Sequence, residues 1–342
     1  MTPRGGNSVY TEKGHCFVRS QNVGMGVLLL DEIAHIDDKT HQKQIATEIL
    51  ENDVLLNITG ASIGRTAVAT NVIAGGNVNQ HVCIIRTNDL LNQNYLCNYI
   101  QTKKIQNYIY SLQTGGSREG LNFEQVRSFP ICYPSKVEQI KISHLISLLD
   151  RRIEVQIGLI NKLESLIGGI IERLTAQYPN VRIADCLECH SSTLQENQLN
   201  ETGGYRVYGA NGICGYTDSP GINGDAILIV KDGSGVGNVS YAIGEYSVIG
   251  TSNYLTAKNG YSLRYLYYIL KKFNFAPYKT GMAIPHIYFK DYGRAMVYCP
   301  SFEEQERIAK KLSKIERKIE IERSIKDNCI MQKQYLLQQM FI

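Results

Sequence analysis

The chain carries one pattern twice, as PSKVEQIKISHLISLLDRRIE at residues 134–154 and as PSFEEQERIAKKLSKIERKIE at residues 300–320. The two stretches are offset by 166 residues without a gap, and nine of their 21 positions are identical. The same offset pairs Thr114-Gly115 with Thr280-Gly281, so the similarity extends upstream. A fixed internal period of this size indicates two copies of one structural plan.

Each copy is predicted to end in a long helix, because a Pro-Ser-x-x-Glu sequence similar to a capping box precedes a heptad pattern. We assign the helix seam to the apolar heptad positions Ile142, Ile146, Leu149, Ile153, Ile160, Leu163, Ile167, Ile170, Leu174, Ile308, Leu312, Ile315 and Ile319. Gln156 and Glu322 occupy equivalent seam positions, which favours two helices packed antiparallel; the alternative is two separate amphipathic helices. The second seam loses its apolar character after Ile319, so that helix either frays there or turns another face toward a partner.

Upstream of each helix, short apolar runs such as Asp53–Leu56 and Asp225–Val230 lead into glycines and predict buried strands. Helices are predicted around residues 95–111 and 262–273. The predicted fold class is therefore α+β, with two mixed α/β domains joined by two long antiparallel coiled-coil helices. The expected boundaries are 1–133 for the first domain, 134–177 for the central helix, 178–299 for the second domain and 300–342 for the last helix. The first domain is expected to lack an opening strand that the second begins near Val181.

Composition indicates an ordinary globular protein. The 342 residues are 43% hydrophobic and 20% charged, and the formal net charge is +4, with no polybasic segment in either half. The N-terminal residues lack the apolar core of a signal peptide, and no apolar run is long enough to cross a membrane. We therefore expect a cytoplasmic protein without a membrane partner, whose nine cysteines are reduced.

Several motifs for binding phosphate, haem or zinc are disfavoured by the spacing of their residues. The turn Gly60–Thr66 follows a strand but has three residues instead of four between its glycines and Arg65 in place of lysine, so it does not match a phosphate-binding loop. We interpret the glycines as tight-turn residues needing positive φ, with backbone amides that can also contact a phosphate. Cys186–His190 matches the haem-attachment pattern C-x-x-C-H once, without an export signal, and no second ligand pair completes a zinc site. No metal site and no catalytic constellation are predicted.

The duplicated order of these motifs resembles the specificity subunit of type I restriction-modification systems. It consists of a strand, the turn Thr59–Arg65, the segment Thr114–Asn122, and then Pro134 with Glu138-Gln139 opening a long helix; the second copy repeats this order through Asp232–Gly237, Thr280-Gly281, Pro300 and Glu304-Gln305. The resemblance covers essentially the whole chain.

This resemblance implies two target recognition domains that each read one half of a split site in double-stranded DNA. The paired helices would set the spacing between the half-sites and dock two methyltransferase subunits, and restriction/translocase subunits would join the complex. The chain itself would be a non-catalytic subunit without cofactors, because S-adenosylmethionine, ATP and magnesium would belong to the partners.

Polar side chains in the glycine- and asparagine-rich loops are the candidates for DNA contact, because base edges are read by such donors and acceptors. The set is Arg19, Gln21, Asn22, Arg65, Asn79, Gln80 and Arg118 in the first domain, and Tyr205, Asn211, Lys231, Asn238, Asn253 and His286 in the second. Two other functions stay open at this point: a duplicated protein-binding scaffold that dimerises through its helices, and an enzyme whose motif is not visible.

Overall fold

The computed structural model describes residues 10–113, 120–281 and 284–341. The chain divides into two compact units. Unit 1 contains residues 1–157 and 324–342, and unit 2 contains residues 158–323. The central and C-terminal helices each contribute one part to either unit, so the unit boundaries lie inside the helices and not at their ends.

Unit 1 is built from short strands followed by helices. Its elements are β1 (His15–Val18), β2 (Ala34–Ile36), α1 (Asp38–Lys43), β3 (Val54–Asn57), β4 (Thr66–Val68), β5 (Asn77–Val78), β6 (Val82–Ile85), α2 (Gln93–Ile100), α3 (Lys103–Gln113), α4 (Phe123–Arg127) and the first part of α5 (Lys136–Thr175). Two three-stranded sheets form, in the orders β2-β1-β5 and β4-β3-β6. β1 runs parallel to β5, and all other pairs are antiparallel.

Unit 2 repeats this plan with additional strands. Its elements are β7 (Val181–Arg182), α6 (Ile183–Cys186), β8 (Leu187–Ser191), β9 (Tyr205–Gly209), β10 (Gly212–Thr217), β11 (Ile222–Asn223), β12 (Ala226–Val230), β13 (Val239–Ala242), β14 (Glu245–Val248), β15 (Ser252–Ala257), α7 (Leu263–Lys272), α8 (Phe289–Tyr292), β16 (Met296–Val297) and the first part of α9 (Phe302–Gln339). The sheet orders are β10-β9-β14-β11, β13-β12-β15-β8 and β16-β7. The parallel pair β9–β14 corresponds to β1–β5, and the trio β13-β12-β15 corresponds to β4-β3-β6.

The predicted strands are present, whereas one predicted helix is wrong in its extent. The helix expected over residues 95–111 is two helices, α2 and α3, interrupted at Gln101 and Thr102. The buried Thr102 hydroxyl donates to the Tyr99 carbonyl and accepts from the Ile105 amide, at 2.7 Å and 3.4 Å. A hydroxyl that ends one helix and caps the next interrupts the chain of helical hydrogen bonds.

The long helices pack as predicted from their repeat. Ile142 and Ile146 join the core of unit 1 together with Leu337 and Phe341, and Ile171 joins the core of unit 2 together with residues at the start of α9. Lys333 forms an ion pair with Asp150 at 2.6 Å in unit 1, and Arg323 pairs with Glu164 in unit 2. In each unit, residues later in α5 therefore contact residues earlier in α9, which is the antiparallel arrangement.

The C-terminal helix does not fray after Ile319. It continues to Gln339, and its buried positions after Ile319 include Glu322, Cys329 and Leu337. Glu322 is 5% exposed and is neutralised by Lys318, whose Nζ lies 2.6 Å from its carboxylate. Ion pairing therefore allows the seam to continue through charged residues.

One glutamine ties the start of each long helix to an earlier helix of the same unit, α2 in unit 1 and α7 in unit 2. Gln139 is fully buried, and its Oε1 accepts from the Asn92 amide at 2.8 Å while its Nε2 donates to the carbonyls of Leu90 and Pro134, both at 2.9 Å. Gln305 repeats the device: its Oε1 accepts from the Ser262 amide and its Nε2 donates to the Pro300 carbonyl.

Asn92 and Ser262 are the N-caps of α2 and α7. The glutamines therefore satisfy backbone groups that burial would otherwise leave without partners. This explains why the glutamine recurs in both copies of the repeat.

Candidate nucleic-acid interface

The glycine turn after the central strand is built in the same way in both units. Gly60 and Gly64 have φ of 70° and 86°, and Gly233 and Gly237 have φ of 95° and 89°. These values confirm the prediction that the turns need positive φ, which a glycine adopts without steric cost. The turn after β3 leads directly into β4, and the turn after β12 leads into β13.

A second loop contacts the glycine turn in each unit. In unit 1, Ser20 and Gln21 line a shallow depression with Thr59–Ser62 and Arg65. In unit 2, Ala210 lies beside the turn, because a Cβ added at Gly235 would sit 3.6 Å from the Ala210 Cβ. The loop after β1 and the loop after β9 therefore take equivalent positions.

A third segment closes the same turn from downstream. Gly120 forms a backbone bridge with Thr59, and His286 forms one with Asp232. The amides of Leu121 and Ile287 donate to the carbonyls of Ile58 and Lys231, at 2.8 Å and 2.9 Å. Gly120 and Leu121 are thus structurally equivalent to His286 and Ile287, which follow them by the 166 residues of the sequence repeat. Arg118 and the rest of residues 114–119 lie outside the described residues, so the candidate Arg118 stays a prediction.

Three predicted contact residues in unit 1 are exposed around this depression: Gln21, Arg65 and Gln80. Arg65 lies at the rim, and no ion-pair partner for it occurs among the described residues. An exposed, unpaired guanidinium beside a turn of backbone amides is suited to a phosphate or to a guanine edge.

Two other predicted residues of unit 1 are buried and support the loops. Asn22 is 2% exposed; its Oδ1 accepts from the Arg19 amide and its Nδ2 donates to the Leu29 carbonyl. Asn79 is 7% exposed, and its Oδ1 accepts from the His81 amide at 3.1 Å. In this conformation both amides hold the loop backbone, which is a common use of Asn in turns.

Arg19 is half-buried, and its side chain is held by other residues of unit 1. Its guanidinium donates to the Glu32 carbonyl at 3.0 Å and lies 5.7 Å from the ring centre of Tyr10. Contact of this side chain with DNA would therefore require it to exchange a backbone carbonyl for a base or phosphate.

The predicted residues of unit 2 fall into two groups. Asn211 and Asn238 are exposed beside the glycine turn, and Lys231 and His286 are half-exposed next to it. These four are brought together by the turn and its flanking loops.

Two other predicted residues of unit 2 do not join this exposed group. Asn253 is 6% exposed and accepts a hydrogen bond from the Ser191 hydroxyl at 3.0 Å. Tyr205 pairs with Thr217 at the beginning of β9, about 13 Å from the end of that strand at about 3.3 Å per residue. Tyr205 is therefore remote from the group formed by Asn211 and Asn238.

His81 and Thr59 belong to the depression and were not predicted. The Thr59 hydroxyl and His81 Nδ1 are 2.6 Å apart, and the Gln80 amide nitrogen lies 3.4 Å from His81 Nε2. The sequence contained one indication, because His81 directly follows the predicted pair Asn79 and Gln80.

Neither unit shows a metal-binding group within the described parts of the chain, where no cluster of three His, Cys, Asp or Glu side chains occurs. Cys186, Cys189 and His190 of the C-x-x-C-H sequence lie on α6 and β8, and both thiols are free. His190 instead stacks on Tyr254, with ring centres 4.8 Å apart, and contacts the Thr256 hydroxyl. Among the described helices, none is long and apolar enough to cross a membrane.

Comparison with known proteins matches the chain to one family twice. The model of the type I restriction modification DNA specificity domain matches residues 19–165 and 177–329. The structure is similar to a crystal structure of the S subunit of a type I restriction-modification system from M. genitalium, with a TM-score of 0.71 and 18% identity over 98% of this chain and 91% of that one.

A second solved structure, described as the structural basis of complex assembly and conformational transition of the type I R-M system, has a TM-score of 0.54 and 16% identity, and covers 94% of this chain and 90% of that one. At these identities the two structures establish the likeness of the fold, and the family assignment comes from the duplicated domain match.

Proposed function

The chain belongs to the type I restriction-modification DNA specificity family, and from this premise we propose that its two units read the two halves of one split DNA target. Members of this family recognise DNA and are not themselves enzymes. The observation that carries the proposal is the duplicated turn, in which a second loop and a downstream segment meet the turn at Gly60–Arg65 and at Gly233–Asn238. A duplicated recognition surface fits a target with two parts.

The residues around the two turns differ, which is what reading two different sequences requires. Arg65 follows the second glycine in unit 1, and Asn238 follows it in unit 2. Arginine pairs best with guanine and asparagine with adenine in the major groove. With a net charge of only +4, binding would rely on a few placed side chains and on the rest of the complex.

The long helices supply a surface for partner subunits. Along the unit 1 part of α5, large apolar side chains are exposed by 40–63%: Val137, Ile140, Leu145, Leu148, Val155 and Ile157. Exposed apolar patches of this kind mark protein interaction sites. In the proposed complex, two methyltransferase subunits dock on the helices and restriction/translocase subunits join them.

S-adenosylmethionine, ATP and magnesium would be held by those partners and not by this chain. The complex would act on double-stranded DNA in the cytoplasm.

The proposal is tested with the complex of this chain and its methyltransferase subunit, acting on a library of target variants. We expect Arg65→Ala to relax discrimination in one half-site by about 5- to 150-fold, which corresponds to ~1–3 kcal/mol for a base contact. Asn238→Ala should relax the other half-site only. Arg127→Ala is the control, because Arg127 is 71% exposed and is already paired with Glu124 on α4. Equal loss in both half-sites from either variant would contradict separate reading by the two units.

A further inference from the structure

Within the described residues, the sheet β4-β3-β6 of unit 1 ends at β6, at the place where unit 2 has a further strand. In unit 2, β15 lies between β12 and β8, and it pairs with β8 from Asn253–Ser191 to Ala257–Leu187. The corresponding strand of unit 1, β6, pairs with β3, and no other pairing of β6 occurs within the described residues. Half of the amides and carbonyls of an edge strand face outward, ready to pair with another chain.

The segment that precedes β8 in unit 2 also covers a second region. β7 pairs with β16 through Val181–Val297 and Arg182–Met296. The Asn180 side chain brackets the backbone of Cys299: its Nδ2 donates to the Cys299 carbonyl at 2.8 Å, and its Oδ1 accepts from the Cys299 amide at 2.9 Å. Residues 180–191 thus form one continuous cover of strand, helical turn and strand.

The equivalent region of unit 1 is exposed. Two tyrosine hydroxyls establish the equivalence: that of Tyr95 donates to the Cys132 carbonyl, and that of Tyr265 donates to the Tyr298 carbonyl. Cys132 and Tyr298 are related by the offset of 166 residues. Tyr133, the counterpart of Cys299, is 48% exposed, whereas Cys299 is 7% exposed.

The apolar surface continues beyond Tyr133. Leu90 is 63% exposed. Gln139 Nε2 donates to the carbonyls of both Leu90 and Pro134, and because Tyr133 directly precedes Pro134, Leu90 lies near Tyr133. An open strand edge and an apolar patch therefore adjoin in unit 1 at the position that residues 180–191 cover in unit 2.

We propose that the β6 edge and the patch of Leu90 and Tyr133 form a docking site for a strand–turn–strand segment of a partner polypeptide. The partner segment has the chemistry of Asn180–Ser191 (NVRIADCLECHS): an amide side chain to bracket the backbone at Tyr133, apolar residues at the places of Ile183 and Leu187, and an extended strand to add to β6. Strand addition of this kind obtains affinity from main-chain hydrogen bonds and specificity from the side chains. The proposal does not depend on how the units read DNA.

The experiment traps the segment by disulfide exchange on the full chain. In unit 2 the Cys186 and Cys299 thiols lie close enough to shift each other's pKa, that of Cys186 downward and that of Cys299 upward, so a thiol introduced by Tyr133→Cys would meet the Cys186 position of a docked peptide. The peptide is residues 180–191 with Cys189→Ser and with its remaining sulfur activated by thionitrobenzoate. Thiolate attack on that disulfide releases thionitrobenzoate, which is followed by absorbance. The protein carries Cys132→Ser and Cys214→Ser, because both native thiols are exposed.

We expect trapping by Tyr133→Cys at least tenfold faster than by the control Tyr110→Cys, whose site on α3 is 70% exposed. A peptide with serine at both cysteine positions should compete, and a scrambled peptide should be trapped no faster than at the control site. Equal rates at the two sites, or equal rates for the scrambled peptide, would overturn the proposal. A self-associated chain that excludes the peptide would also overturn it, because a second copy would then be the occupant; sedimentation of the unlabelled protein detects that case.

Discussion

Replacement of Gln139 by leucine removes a buried connection between α5 and α2 while nearly keeping the side-chain volume. Gln139 is fully buried and makes three hydrogen bonds to backbone groups, those of Asn92, Leu90 and Pro134. Each such bond contributes about 1 kcal/mol net, and a buried group left without a partner adds its desolvation penalty. The greater apolar character of leucine offsets part of this loss. We therefore expect Gln139→Leu to lower the free energy of unfolding by about 2–4 kcal/mol.

Thermal unfolding measures the total effect, and hydrogen–deuterium exchange locates it. For a unit of this size, the expected loss lowers the melting temperature by about 4–16 °C. The amides of α2 should exchange faster, because Asn92 is its N-cap, while those of α7 in unit 2 stay protected. Lys141→Leu is the control, since its side chain on the same helix is 69% exposed. An unchanged melting temperature, or equal loss of protection in α2 and α7, would refute the role of Gln139.

Three further outcomes follow from the same structure. Gln305→Leu should lower stability by about 1–3 kcal/mol, because two such bonds are lost, and should raise exchange in α7 and not in α2. Burial raises the pKa of the Cys83 and Cys97 thiols from 9.0 to about 11, so the stabilisation from their protonated form is complete below about pH 9 and is lost as pH rises toward 11. Urea unfolding between pH 8 and 11 should show this decline, and Cys97→Ala should reduce it; a curve identical to that of the parent chain would contradict the assignment. Insertion of one heptad after both Ile157 and Arg323 adds about 10.5 Å of helix, which corresponds to about three base pairs of DNA. The gap in the methylated motif should therefore lengthen by about three base pairs while both half-sites stay unchanged. An unchanged gap would refute the spacer role of the helices.

The helices and the duplication were predictable from sequence because their signals are periodic or repeated. The heptad positions of α5 are all buried or half-buried, from Ile142 to Leu174. The continuation of α9 was harder to predict, since Glu322 and Lys333 interrupt the apolar pattern. Glu322 pairs with Lys318 on the same helix, whereas Lys333 pairs with Asp150 of the other helix, and a partner from another part of the chain is not visible in a local pattern.

The position of the glycine turns was predictable, but the exposure or burial of the individual loop residues around them was not. Glycine spacing identified the turns, and Gln21, Arg65, Asn211 and Asn238 lie exposed beside them. Asn22, Asn79 and Asn253 are asparagines like Asn211 and Asn238, and yet they are buried against backbone or side-chain partners. Whether an asparagine faces solvent depends on the tertiary packing of its loop, which composition does not specify.

The difference in strand pairing between β6 and β15 became clear only from the comparison of the two folded copies, within the residues that the structure describes. The sequence comparison singled out only the opening stretch near Val181 in the second copy. The structure adds what that stretch does in unit 2, where β7 and β8 cover β16 and β15.

Mapping of methylated bases tests the central claim most directly, after co-expression of this chain with its methyltransferase subunit in a host that lacks other methylation. The account predicts one split motif with a fixed gap, in which Arg65→Ala alters one half and Asn238→Ala the other. Methylation that is independent of this chain, or confined to a single continuous site, would contradict it.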